Sequence, residues 1–196
     1  MSPIRPTKFA HIVYRTRRFE RMLQWYETVF GAKVQYQNPG LAFLTYDDEH
    51  HRFAFANLAL FQPDGTDTER QGAVGVDHVA YTYASLHDLL ETYARLKEQG
   101  ITPYWCIHHG ISVSLYYADP DGNQMEFQVD GFETSEEATA FMHELFSANP
   151  IGVEFDPDEW LAQLRAGEPE STFLRRPTHE PVSPLRGEFT RFLPAN

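Results

Sequence analysis

One spacing recurs along this chain and constrains its fold more than any other feature. The offset that carries His11 to His78 also carries Tyr14 to Tyr81, Phe19 to Leu86, Met22 to Leu89, Leu23 to Leu90, Tyr26 to Tyr93 and Val29 to Leu96. So many apolar coincidences at one spacing mark a structural repeat. Each copy opens with a short strand, 9–14 or 76–81, then a helix with apolar residues at helical spacing that ends at Gly31 or Gly100. Three strands follow in each: 33–37, 41–46 and 51–60 in the first copy, 102–107, 111–117 and 124–129 in the second. The class is therefore α+β, with two βαβββ modules over about 9–60 and 76–130 joined by a polar, turn-rich link. A half-buried sheet face in each module is covered by pairing with the other, which predicts a partly closed barrel around a cavity.

The hairpin around Asp119-Pro120-Asp121-Gly122-Asn123 carries the chemistry. Proline presets φ and glycine tolerates positive φ, so the turn is specified by its own residues. On the return strand Met125, Phe127 and Val129 point one way, and Gln124, Glu126 and Gln128 the other. Matching the turn Asp47-Asp48-Glu49 to Asp119-Pro120-Asp121 sets Ala54 against Glu126, which leaves His11, His78 and Glu126 as two histidines and one carboxylate. Singly, each has a bland reading: a solvated carboxylate, a satisfied core histidine. Together, on strands related by the repeat, they predict a facial triad with open coordination positions, the set for non-haem Fe(II), with Mn(II) less favoured.

Charge and cysteine usage narrow the classes. A net charge of -12, from 28 acidic against 16 basic residues, argues against nucleic acid or an anionic membrane as partner. No basic start joins an apolar run, so neither a signal peptide nor a membrane span is predicted. The single cysteine, Cys106, lies in an apolar strand and reads as packing rather than as a nucleophile; it suits a reducing, cytoplasmic compartment.

With these residues in place, the chain resembles the vicinal oxygen chelate superfamily, and within it the extradiol catechol ring-cleaving dioxygenases. The likeness covers about residues 9–130, a vicinal oxygen chelate domain of 1–130 followed by C-terminal helices and tail over 131–196. Glu49-His50-His51-Arg52-Phe53-Ala54-Phe55-Ala56 is similar to the paired-histidine strand of those enzymes, which implies that His51 is the acid–base residue. Tyr116 matches the tyrosine they place beside the substrate oxygens, and His108-His109-Gly110 resembles a segment whose histidine contacts substrate, with His109 or His108 in that role. The resemblance implies a single-domain enzyme in which an aromatic diol and dioxygen meet on Fe(II), His51 moves a proton and Tyr116 steadies the developing oxyanion. Two other classes fit the scaffold: a metal-dependent transferase of the fosfomycin type, and a metal-free small-molecule binding module. Tyr104, Trp105, Phe53 and Phe55 fit an aromatic-lined pocket or plain core packing.

The C-terminal third predicts a helix from the capping pattern Thr134-Ser-Glu-Glu137, then a shorter one capped by Asp156 and ended by Gly167. Beyond it, Phe173, Leu174, Leu185, Phe189 and Phe192 are too apolar for a purely solvated tail, which is expected to wrap its own domain or a partner subunit of a homo-oligomer.

Overall fold

A computed structural model describes residues 5–65, 75–177 and 180–184. The chain divides into two compact units, one comprising the described residues up to Gly75 with the turn 119–123, the other 76–118 and the described residues from Gln124 onward. The tail residues Leu185, Phe189 and Phe192 lie outside the described residues.

The first unit is β1 (Ile12–Thr16), α1 (Phe19–Phe30), β2 (Lys33–Gln37), β3 (Leu41–Thr45), β4 (Phe53–Asn57) and a short α2 (Leu58–Phe61). Its sheet has the order β1-β4-β3-β2, with β1 parallel to β4 and the other pairs antiparallel. Helix α1 buries Phe19, Met22, Leu23, Tyr26 and Val29, and Gly31 ends it in the left-handed region at φ 62°. Tyr26 sits edge-on to Phe53 at 4.7 Å and to Phe55 at 4.9 Å, so both phenylalanines belong to this core and not to a binding pocket. The Tyr26 hydroxyl donates to Asp119 Oδ2 at 3.1 Å, and Arg18 donates to Asp121 at 2.6 Å. The strand expected over 51–60 is shorter. It begins after a bend at Arg52 and stops at Asn57, whose side chain accepts from Ala59 N at 3.1 Å and caps α2 instead of continuing the ladder.

The second unit is β5 (His78–Thr82), α3 (Leu86–Glu98), β6 (Trp105–His108), β7 (Ser112–Ala118), β8 (Gln124–Asp130), α4 (Ser135–Leu145), β9 (Val153–Glu154) and α5 (Pro157–Arg165). Its sheet order is β5-β8-β7-β6-β9. The repeat is visible in the registers: Ala54 lies opposite Val13 and Phe43, as Glu126 lies opposite Ala80 and Tyr116. Both sheets are mixed and open. Neither closes into the expected barrel, because closure needs a ladder joining the two edge strands, and the second sheet ends instead on the two-residue β9.

The sequence did not announce β9, which arrives from beyond the repeat and pairs with Ile107 and His108. Gly152 lets it come so close: at φ 126°, a Cβ there would stand 2.5 Å from the His108 carbonyl. Helix α4 carries the predicted capping box at Thr134 and Glu137, and Asp156 caps α5. Helix α5 is tied to α3 by Arg165 on Glu91 (2.8 and 2.7 Å) and Lys97 on Asp158 (2.5 Å), and the Glu170 carboxylate accepts the first amides of α3 at Leu86 and His87. Among the described residues, no helix is long and apolar enough to cross a membrane.

Candidate functional site

Strand alternation decides which side chains meet in the second unit. Glu126 is paired with Ala80, two residues along β5 from His78, and with Tyr116 across β7, so all three side chains share one sheet face. Trp105 is paired with Tyr116, and His109 follows β6 on the same alternation. The opposite face carries the apolar residues that α3 covers, including Leu115, Tyr117, Met125 and Phe127.

On the first face His78 Nε2 stands 3.0 Å from Glu126 Oε2, while His78 Nδ1 is 2.7 Å from Asp77 Oδ2. Asp77 was not singled out in the sequence, although it immediately precedes His78. Both ring nitrogens thus face carboxylates. The Glu126 contact and, against the cost of burial, Asp77 raise the His78 pKa above its ordinary value. Burial pushes the Glu126 carboxyl up, and hydrogen bonds from His78 and Ser114 outweigh it, so its pKa is lowered. A carboxylate behind Nδ1 with Nε2 aimed at a second donor is how metal-bound imidazoles are held. The donor set, imidazole nitrogen and carboxylate oxygen, therefore fits a divalent iron.

His109 is fixed at both ends. Its Nδ1 donates to the Ile151 carbonyl at 2.5 Å, which leaves Nε2 to accept the Tyr116 hydroxyl at 3.1 Å, and Nε2 is 3.7 Å from Glu126 Oε1. Burial lowers the His109 pKa. Trp105 lies against Tyr116 at 4.9 Å and edge-on to His109 at 5.6 Å, and so belongs to this face; Tyr104 is exposed and donates to Gln124 at 2.6 Å. His108 is not in the group. It is 1% exposed, edge-on to Trp160, and burial pushes its pKa to about 4. The Cys106 thiol is pushed up to about 12 by burial, which matches its reading as a packing residue.

The first unit carries His11 and His51, with ring centroids 4.4 Å apart; Phe43 stands edge-on to His51 at 5.0 Å. His50 Nδ1 is 2.6 Å from His51 Nδ1. The His51 pKa is lowered by burial, then by His11 and His50, with Glu49 opposing. Arg52 holds the backbone just ahead of His11 through the carbonyls of Phe9 (2.5 Å) and Ala10 (2.9 Å), and is itself paired with Asp47 at 2.9 Å. Within each unit, among the described residues, no three His, Cys, Asp or Glu side chains make a ready metal cage; the first unit carries His11, the second His78 and Glu126.

The βαβββ module, present twice in the chain, points to the class. The chain belongs to the Glyoxalase/Bleomycin resistance protein/Dioxygenase superfamily, whose model matches residues 8–127. Among its relatives, it is 48% identical to biphenyl-2,3-diol 1,2-dioxygenase 2 of Rhodococcus globerulus over 83% of this chain and 84% of the relative. It is 44% identical to biphenyl-2,3-diol 1,2-dioxygenase 3 of the same organism over 86% and 88%. Among solved structures, a glyoxalase/bleomycin resistance protein/dioxygenase from Nocardioides matches with a TM-score of 0.52 at 20% identity, covering 66% of this chain and 86% of that one, which speaks for the fold alone.

Proposed function

We propose that the protein is an Fe(II)-dependent extradiol dioxygenase that opens the ring of a catechol-type diol with dioxygen. The observation that carries this reading is the 48% identity, over more than four fifths of both chains, to an enzyme named for cleaving a 2,3-diol at its 1,2 bond, beside the two hydroxyls rather than between them. The second-unit geometry supports it, since His78, Glu126, Tyr116 and His109 share one face with an aromatic wall at Trp105.

In this reading His11, His78 and Glu126 would hold the iron, with Asp77 holding His78 by its far nitrogen. A metal bound there would supply a common centre for diol and dioxygen and a route for electrons between them. The chain's own residues do the rest. His51, with its pKa lowered, is neutral near pH 7 and takes a proton from a substrate hydroxyl, then returns it to the opening ring. Tyr116 gives its one hydroxyl proton to His109 Nε2, whose other nitrogen is committed to Ile151, so the Tyr116 oxygen is left to accept from a substrate hydroxyl and orient it. Trp105 gives the ring an apolar surface.

The test is oxygen uptake by protein loaded with iron under anaerobic conditions, against a panel of substituted catechols that includes 2,3-dihydroxybiphenyl. Uptake matched by a coloured ring-opened product is expected. Full iron occupancy with no uptake on any diol would overturn the reading.

A further inference from the structure

The loop at 149–152 and Arg176 lie beyond the two βαβββ modules, yet they hold His109 by its ring and its backbone at once. Ile151 gives its carbonyl to His109 Nδ1. That carbonyl is presented by a turn built on Asn149: its Oδ1 accepts from Ile151 N at 3.1 Å and Gly152 N at 2.7 Å, and its Nδ2 donates to Gly152 O at 3.1 Å. Arg176 Nη1 then donates to two carbonyls together, His109 O at 2.7 Å and Asn149 O at 2.9 Å, and its guanidinium lies 5.1 Å from the centre of the Phe141 ring. Among the described residues no carboxylate is paired with Arg176, although it is half-buried. A half-buried cation is costly to place, and here, beside its contact with the Phe141 ring, it staples the backbone of His109 to the backbone of the turn that orients the His109 ring.

Two glycines make the approach possible. Gly110, at φ 101°, has Phe141 ring carbons 2.2 and 2.3 Å from where a Cβ would be, and Gly152 abuts the His108 carbonyl. The contacts form a closed loop of His109, Ile151, Asn149 and Arg176, with Phe141 as its floor.

We infer that the Asn149 turn and Arg176 are positioning elements of the active site: they fix the His109 tautomer, with the proton on Nδ1, so that Nε2 stays open to the Tyr116 hydroxyl. The structural part stands on these contacts alone, and its catalytic consequence rests on the dioxygenase reading. Arg176 touches neither substrate nor metal in this scheme. It acts through His109, as groups behind a reacting residue do.

The experiment has two readouts. In metal-free, ¹⁵N-histidine-labelled protein, the ring nitrogens of His109 report the tautomer directly: wild type should show Nδ1 protonated and Nε2 bare. Arg176→Ala should show both tautomers in exchange, and Arg176→Lys should keep much of the wild-type signal. In iron-loaded protein Arg176→Ala should lower kcat about 10- to 100-fold with KM and iron content near wild type, and added guanidinium should restore part of the loss. Asn149→Ala breaks the turn without removing the cation and should move the same two readouts, so it decides the matter where Arg176→Ala does not fold. A wild-type His109 spectrum in both folded variants would sink the inference, as would a kcat loss no larger than the loss of folded protein. Tautomer exchange in a protein that consumes no oxygen with any diol would uphold the positioning and fail the dioxygenase reading instead.

Discussion

In the dioxygenase reading Glu126 is cast as a metal ligand and His51 as the residue that moves a proton, and variants of the two should behave differently. Glu126 is buried against His78 at 3.0 Å, so removing its carboxylate leaves an imidazole held by Asp77 with nothing on its other side. Glu126→Ala is expected to lose iron, from about one per chain to trace, while far-ultraviolet circular dichroism stays native. Undiminished iron in that variant would remove the assignment. His51 is cast as an acid–base residue, so His51→Asn should keep its iron and lose roughly a hundredfold in turnover. The loss should shrink for electron-poor catechols, whose hydroxyls ionise unaided; an equal loss on all of them would count against the proton role. At this scale the sequence was legible where repeat and strand alternation act together, as for His78, Tyr116 and Glu126. It could not choose between His108 and His109, because neighbours on a chain differ only in which face they take, and that was set by the register of β6 on β7.

Elements were legible in proportion to how local their signals are. Helix α1 stops at its glycine and α4 starts at its capping box because those residues satisfy backbone groups within a few positions. Strand β4 ran short for the same kind of reason, since Asn57 serves the next turn. The docking of α5 on α3 is different, resting on charges brought together from far apart in sequence. Arg165 holds the Glu91 carboxyl below its ordinary 4.5, and Lys97 holds Asp158 below its ordinary 3.8. A carboxyl whose folded pKa is depressed contributes stability above its unfolded pKa and loses it as pH falls through the folded one. Acidifying from about pH 6 to about pH 3 should therefore lower the urea midpoint. The double variant Glu91→Gln with Asp158→Asn should show a shallower fall, and high salt should weaken the effect because the pairs are exposed. Parallel curves for wild type and the double variant would show that these pairs contribute nothing.

For the whole molecule, the segment after the second module completes the second unit. Ile151 packs with Trp105, Ile107 and Tyr116, while Val153, Leu161, Leu164 and Phe173 are buried. Side chains of this size contribute about 1.5–3 kcal/mol each when fully buried. Truncation before Pro150 should thus lower the melting temperature, expose dye-binding apolar surface and reduce turnover, and an unchanged melting temperature and turnover would make the segment a passenger. By itself the sequence determined the two modules, their helices and caps, and the face on which Glu126 lies. It could do so because helical and strand periodicities, turn chemistry and an internal repeat are properties of neighbouring residues. Only the tertiary structure decided that β9 joins the sheet edge, that the sheets stay open, and that Ile151 and Arg176 hold His109. Those contacts join residues far apart in the chain through backbone carbonyls, which every residue carries alike, so no side-chain pattern could have marked them in advance.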